Sequence, residues 1–300
     1  MTSIALIIAT KDRPDDLRRM LTSVAAQSFR PGQVIIVDAS TAPVEAVAKA
    51  FPSLNVTYLR HWPPSAAAQR NAGLSAAQSD ITLVGFMDDD IVIEPDAIEQ
   101  MMRFWNNADG SVGGAAFNWL NTPSRAMTGV KSSALMAKLG LYSNVPGDVA
   151  PSGWQSIACN VKDDLQTKWL SSCACVWRSE VLNTIRFDEY FDGYSYLEDL
   201  DFSFSAAKKY KLFVVASAGF RHYPATGGRI SRYRFGKIEV RNRLYVVRKH
   251  GLSVWRCYVG LLIRFAMTLF ASVATFSRAQ FTRACGNLAG LCRSLKAEGV

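Results

Sequence analysis

The N-terminal half alternates between two hydrophobic periods. Ile4 to Ala9 is an apolar run of strand length. After the turn Thr10-Lys11-Asp12, Pro14 suits the first turn of a helix in which Leu17, Met20, Leu21 and Val24 recur at helical spacing. Gln33 to Asp38 reads as a second buried strand, Val44 to Phe51 as a short helix, Asn55 to Arg60 as a strand and Ser65 to Gln78 as an Ala-rich helix. Ile81 to Met87 is the next strand, and Pro95 opens a helix with Ile98, Met101, Met102 and Trp105 on its apolar side. Strands alternating with helices predict an α/β fold with a mostly parallel central sheet and helices on both faces.

From about Asn121 to Lys168 the pattern fades among Gly, Pro, Ser and Asn, which predicts loops or a lid. Trp169 to Trp177 reads as a strand, Glu198 to Tyr210 as a helix and Leu212 to Ala216 as a strand. Ile238 to Gly290 has no strand alternation and mixes basic with aromatic and aliphatic residues. Thirteen uncharged residues lie between Arg264 and Arg278, fewer than the roughly 20 apolar residues that span a bilayer. An interfacial amphipathic helix pair is therefore favoured over a transmembrane span, with a helical subdomain packed on the main fold as the alternative. The expected division is a nucleotide-binding and catalytic domain at 1–228 and a basic, apolar helical extension at 229–300.

Charge sharpens that division. The 300 residues carry a net charge of +9, but the segment from Arg229 to Val300 has 14 Lys or Arg against 2 acids, so the preceding residues are slightly acidic. Such a basic block suits anionic lipid, nucleic acid or an acidic partner; no nucleic-acid-binding module is visible in it. Hydrophobic residues at 49% and charged residues at 20% exclude a disordered chain. The six cysteines lack the C-x-x-C spacing of structural zinc and are expected to be reduced, with Cys173 and Cys175 on one strand face. Met1 to Thr10 is too short for a signal-peptide core with its flanks, so no export signal is expected.

Candidate chemistry begins at Phe86-Met87-Asp88-Asp89-Asp90, three carboxylates at the end of an apolar strand. Adjacent carboxylates repel unless a cation neutralises them, and a D-x-D spacing on extended backbone points Asp88 and Asp90 one way and Asp89 another. Helix capping ahead of Pro95 is the alternative. Asp38 ends the second strand, where its carboxylate can accept hydrogen bonds from a base or ribose, or cap a turn. Arg70 can pair with a diphosphate or with an acid. Glu198-Asp199 opens a helix, where acids also favour the macrodipole. His222 follows a strand and can complete a metal shell. There is no Walker loop, no G-x-G-x-x-G, no G-x-S-x-G and no H-E-x-x-H.

Taken in order, Ile7 to Arg13, Val34 to Asp38, Gln69-Arg70-Asn71-Ala72-Gly73, Asp88-Asp89-Asp90 and Glu198-Asp199 resemble the motifs of family 2 glycosyltransferases. The resemblance spans about residues 4 to 225. It implies a GT-A fold, a nucleotide-diphosphate-sugar donor, a divalent cation (Mg2+ or Mn2+) and inversion at the anomeric carbon. Carried over by position, it assigns Thr10, Asp38, Arg70, Asp88 and Asp89 to the donor, with Asp38 at the base. Asp90, Asp88 and, less directly, His222 fall to the metal, and Asp199 to the catalytic base. The chain departs from the family in lacking a second Asp after Asp38 and any Q-x-x-R-W motif, which disfavours polymer extrusion.

The expectation is thus a metal-dependent inverting glycosyltransferase that transfers sugar to a hydroxyl on a glycan or lipid-linked acceptor. Its setting would be bacterial-type cell-surface polysaccharide or glycolipid assembly, and its place the cytoplasm or the cytoplasmic face of a membrane. Trp154, Gln155, Trp169 and Trp177 are candidates for lining an acceptor site. The rivals are a catalytically inactive membrane-associated scaffold and a sugar-phosphate nucleotidyltransferase.

Overall fold

The computed structural model describes residues 3–122, 133–225, 227 and 230–298. The chain divides into two compact units, Met1–Ala126 with Ile157–Gly228, and Met127–Ser156 with Arg229–Val300. The boundary expected between 228 and 229 lies outside the described residues, as do residues 123–132 of the pattern-poor stretch.

The first unit runs β1 (Ile4–Thr10), α1 (Pro14–Ala25), β2 (Gln33–Asp38), α2 (Glu45–Lys49), β3 (Val56–Arg60), α3 (Ala66–Ser75), β4 (Leu83–Asp88), β5 (Ile91–Ile93), α4 (Ala97–Asn107) and β6 (Val112–Trp119). After α5 (Ala134–Lys138), which belongs to the second unit, it resumes with β7 (Leu165–Thr167), β8 (Ala174–Arg178), α6 (Ser179–Thr184), α7 (Glu198–Ala206) and β9 (Lys211–His222). The strands form one sheet in the order β3-β2-β1-β4-β8-β6-β9-β5, with β7 paired to β9. β3, β2, β1 and β4 are parallel, β6 is parallel to β9, and β8 enters antiparallel between β4 and β6.

Strand alternation sends one set of side chains to each face. Ile4, Leu6, Ile8, Val34 and Ile36 pack with α1 and α4 through Leu17, Met20, Ile98 and Met101. Ala5, Ile7, Ile35 and Val37 pack on the other face with Ala67 and Leu74 of α3, Val181 and Leu182 of α6 and Phe202 of α7. Gly73 lets α3 settle onto the sheet, because a Cβ there would drive into the Ile7 side chain. Cys173 and Cys175 do not share a face as expected. Cys173 lies in the turn before β8 and packs on the α1 side, whereas Cys175 is in the α3 side. All six cysteines are free thiols.

The second unit contains α5, α8 (Arg232–Lys249), α9 (Val254–Ala274) and α10 (Arg278–Glu298). Its core joins Leu141, Tyr142 and Trp154 to Val240, Leu244, Val247, Leu261 and Leu291, so part of the stretch read as loops is an ordered component of the helical unit.

Candidate active site

Thr10, Asp38 and Asp88 stand at the C-terminal ends of three adjacent parallel strands, with Thr10 in register with Asp38 and Ala9 with Asp88. This is where ligands gather in open α/β sheets. The side chains arrive already partnered. Thr10 donates its Oγ1 hydrogen to Asp89 over 2.7 Å. Asp38 is fully buried and accepts from the Ser40 and Val44 amides, the Tyr58 hydroxyl and Arg60. Burial alone would raise its pKa, but the bonds from Ser40, Tyr58 and Val44 hold it below the usual value.

The acidic triplet does not follow the expected D-x-D geometry. Asp88 is the last strand residue, and Asp89 and Asp90 form the turn into β5, so the alternation of extended backbone is lost. Asp88 accepts from Arg70 at 3.0 Å. Asp89 and Asp90 instead share Arg13, at 3.0 and 3.6 Å. Burial pushes Asp89 up to about 7, against the pull of Arg13 and Thr10.

β5 pairs antiparallel with the end of β9, setting Ile91 opposite His222. That pairing carries His222 to Asp90, with Nε2 2.9 Å from its Oδ1. The other Asp90 oxygen accepts from the Ala225 amide at 3.0 Å. Burial disfavours the charged imidazole, but Asp90 and Asp88 outweigh it and raise the His222 pKa. Asp90 moves the opposite way, lowered against its burial by His222 and the Ala225 amide.

The second acidic cluster opens α7. Leu197, at φ 76°, holds the left-handed position just before the helix, and Glu198 and Asp199 occupy its first turn. Ser195 fixes this loop to the start of α3 by bonding the Ala67 amide. α3 in turn is tied to the sheet by Gln69, which donates to the carbonyls of Thr10 and Val37. The result places Arg70 between the two acidic clusters: Nη1 meets Glu198 at 2.5 Å and Nη2 meets Asp88 at 3.0 Å. Arg70 is buried, yet the nearby carboxylates of Glu198, Asp88 and Asp199 raise its pKa and keep it charged.

Glu198 and Asp199 differ in their surroundings. Glu198 is spent on Arg70: burial raises its pKa, and the arginine pulls it down against that rise. Asp199 is half-buried and accepts from the Leu200 amide. Burial raises its pKa, with the Asp88 charge in the same direction.

All eight assigned residues, Thr10, Asp38, Arg70, Asp88, Asp89, Asp90, Asp199 and His222, thus lie on the cleft end of the sheet or on elements tied to it. Sequence reasoning left out Arg13, Tyr58, Arg60 and Gln69. Tyr58 and Arg60 are two apart on β3, beside β2 in the register Asp38 to Arg60, which a predicted parallel β2-β3 pair brings within reach. The expected acceptor tryptophans separate. Trp177 is sheet core against Phe202, and Trp154 lies in the helical unit's core beneath the Arg243 guanidinium, which also binds Gln155. Trp169 alone lines a small cavity of about 70 Å³ with Phe117, Trp119 and Phe220, and Trp119 meets the His222 ring edge-on.

Two carboxylates and an imidazole are a donor set suited to Mg2+ or Mn2+, and the Asp90–His222 contact brings an oxygen and a nitrogen donor together. No group of three or more His, Cys, Asp or Glu side chains converges on a metal position among the described residues. The residues fit a cation that completes its shell with other ligands.

Residues 5–129 match the family model described as Glycosyl transferase family 2. The match covers less than half of the chain, and over these residues the chain is similar to that family. The uncharacterized glycosyltransferase YwdF of Bacillus subtilis (strain 168) is 31% identical over 107 residues, covering 35% of this chain and 39% of YwdF. The matched region therefore spans well under half of that relative's length. Among solved structures, S. aureus TarS 1-349 in complex with UDP-GlcNAc superposes with a TM-score of 0.57 at 15% identity, covering 95% of this chain and 78% of that one. The mannosyltransferase PcManGT from Pyrobaculum calidifontis, in complex with GDP-Man and Mn2+, gives 0.56 at 15% identity, with 96% and 86% covered. The family segment holds Thr10, Asp38, Arg70 and the acidic triplet; Asp199 and His222 lie beyond it. The fold is GT-A.

Proposed function

We propose that the protein is a metal-dependent inverting glycosyltransferase, moving a sugar from a nucleotide-diphosphate donor to a hydroxyl of a glycan or lipid-linked acceptor in cell-surface polysaccharide or glycolipid assembly. The observation that carries this reading is Arg70, buried between Asp88 of the donor-side cluster and Glu198 beside Asp199. A chain that kept only the fold has no need to hold a buried cation between two acidic clusters, since buried charges are costly unless paired. The family match, and the nucleotide sugars bound by the structural neighbours, support the donor class.

Asp199 is the base. Glu198 is engaged by Arg70 and serves to position it, while Asp199 is half-buried with a pKa raised by burial, the direction that suits a general base. It takes the acceptor hydroxyl proton as that oxygen bonds to the anomeric carbon and the bond to the nucleoside diphosphate breaks. Thr10 and Asp38 shape the nucleotide pocket, Asp38 by holding Arg60 and Tyr58. Asp88, Asp90 and His222 would hold a divalent cation, which would supply charge neutralisation for the departing diphosphate. Arg13 and Arg70 keep the carboxylates in place.

Asp199→Asn is expected to lower transfer by about 10²–10⁴-fold and leave donor affinity unchanged. Release of nucleoside diphosphate, followed with and without acceptor, measures it; transfer at the wild-type rate refutes the assignment. We place the protein on the cytoplasmic side, peripheral to a membrane, because the described residues contain a helix that is long and apolar enough to reach lipid and is set among basic helices.

A further inference from the structure

Helix α9 has two unlike faces. Cys257, Leu261, Thr268 and Ser272 are buried and repeat at helical spacing toward the unit's interior. Arg264 also turns inward, pairing with Glu239 of α8 at 3.2 Å. The opposite face carries Trp255, Leu262, Phe270 and Val273, all exposed, and the hairpin tip that follows carries Phe276 at 94% exposure. Large apolar side chains lined along one face of a helix and left in water mark an interaction surface.

The charge around that stripe selects its occupant. The only acid between Ile230 and Lys296 is Glu239, which is 2% exposed and enclosed by Arg264, Arg283 and Asn287. Over these residues no carboxylate faces solvent, whereas Arg232, Arg234, Arg278, Arg293 and Lys296 are exposed. A second copy of so basic a surface would be repelled. An anionic bilayer interface rewards both the stripe and the charges. A span is disfavoured although α9 has 21 residues and a mean hydropathy of 1.8. Its inner face is ion-paired to α8, whose seven Lys and Arg would have to follow it into hydrocarbon.

We propose that α9 beds in the plane of an anionic lipid interface, with the Trp255–Leu262–Phe270–Val273 stripe and Phe276 among the acyl chains and the basic residues of α10 on lipid phosphates. This rests on the peripheral placement proposed above and not on the transfer chemistry.

The test is flotation of the full chain with phosphatidylcholine vesicles, alone or with about a third phosphatidylglycerol. Binding is expected only to the anionic vesicles, falling about tenfold or more between low salt and about 0.5 M salt. Leu262→Glu with Phe270→Glu is expected to abolish it while nucleoside-diphosphate release in solution and the circular dichroism spectrum stay as in the wild type. Arg278→Glu with Arg293→Glu, which leaves the stripe intact, is expected to weaken anionic binding about tenfold. Equal binding to both vesicles that survives salt and alkaline carbonate overturns the proposal in favour of a span. Absence of vesicle binding, with a concentration-dependent dimer that Phe270→Glu disperses, overturns it in favour of a second copy. A chain inactive with every donor but bound to anionic vesicles would sink the catalytic reading and leave this one standing.

Discussion

Arg70 shows how a single side chain acquires meaning only in its surroundings. As one helical arginine it reads as a surface pair; in the structure it is 5% exposed and joins Asp88 to Glu198. Its removal leaves the buried Glu198 and the part-exposed Asp88 without their counter-charge, and breaking the buried pair on one side costs about 3–5 kcal/mol. Arg70→Met is therefore expected to lower the melting temperature and to reduce kcat/KM. Glu198→Gln neutralises the acid but preserves its shape, so it is expected to cost less stability while still disturbing Arg70. Thermal unfolding and steady-state kinetics on both variants separate the two effects. If Arg70→Met melts like the wild type, the pairs contribute no net stability.

At the scale of elements, the helical unit is held by a buried ion cluster and by close helix contact. Burial would raise the Glu239 pKa, but Arg264, Arg283 and Asn287 lower it below the usual 4.5. A carboxyl depressed in the folded state contributes stability that is present above its unfolded pKa and lost as pH falls through the folded value. Protection factors of the amides in α8 and α10, taken relative to intrinsic exchange at each pH, are thus expected to fall as pH drops below about 4.5, and Glu239→Gln to remove that acid step. Gly286 sits where α10 meets α8, and a Cβ there would run into the Tyr233 carbonyl. Gly286→Val is expected to destabilise the unit by about 1–3 kcal/mol, the usual cost of overpacking, read as a lower denaturant midpoint for helix loss. These elements also mark what the sequence leaves hidden. Apart from β5, the β1-to-α4 run was legible because its strands are bounded apolar runs and most of its helices carry an apolar stripe. β5 has three residues, too few for any period, and β6 begins Val112-Gly113-Gly114, which reads as a turn. The stretch before β7 carries Tyr142 and Trp154 into the helical core through loops with no period at all.

For the whole molecule, the candidate site was legible as an ordered set of segments and not as a geometry. Motif order gathered Thr10, Asp38, Arg70, the acidic triplet, Asp199 and His222. It could not give Arg13 on Asp89 and Asp90, because 76 residues separate Arg13 from Asp89 and only the β1-β4 pairing brings them together. Those contacts also bear on how the proposed cation would bind. Asp90 and His222 are bonded to each other, and Asp88 and Asp89 are held by arginines, so the carboxylates are neutralised by protein groups until a donor diphosphate adds further negative charge. Asp90 and His222 are the residues that would hold a divalent ion there, and the ion would supply charge neutralisation for the diphosphate. Donor affinity, measured by calorimetry, is expected to fall at least about tenfold in chelator and to return with Mg2+ or Mn2+. Asp90→Ala is expected to abolish the difference between metal and chelator, and His222→Ala to diminish it. Equal donor affinity with and without metal in the wild type would refute the cation assignment while leaving Asp199 as the base.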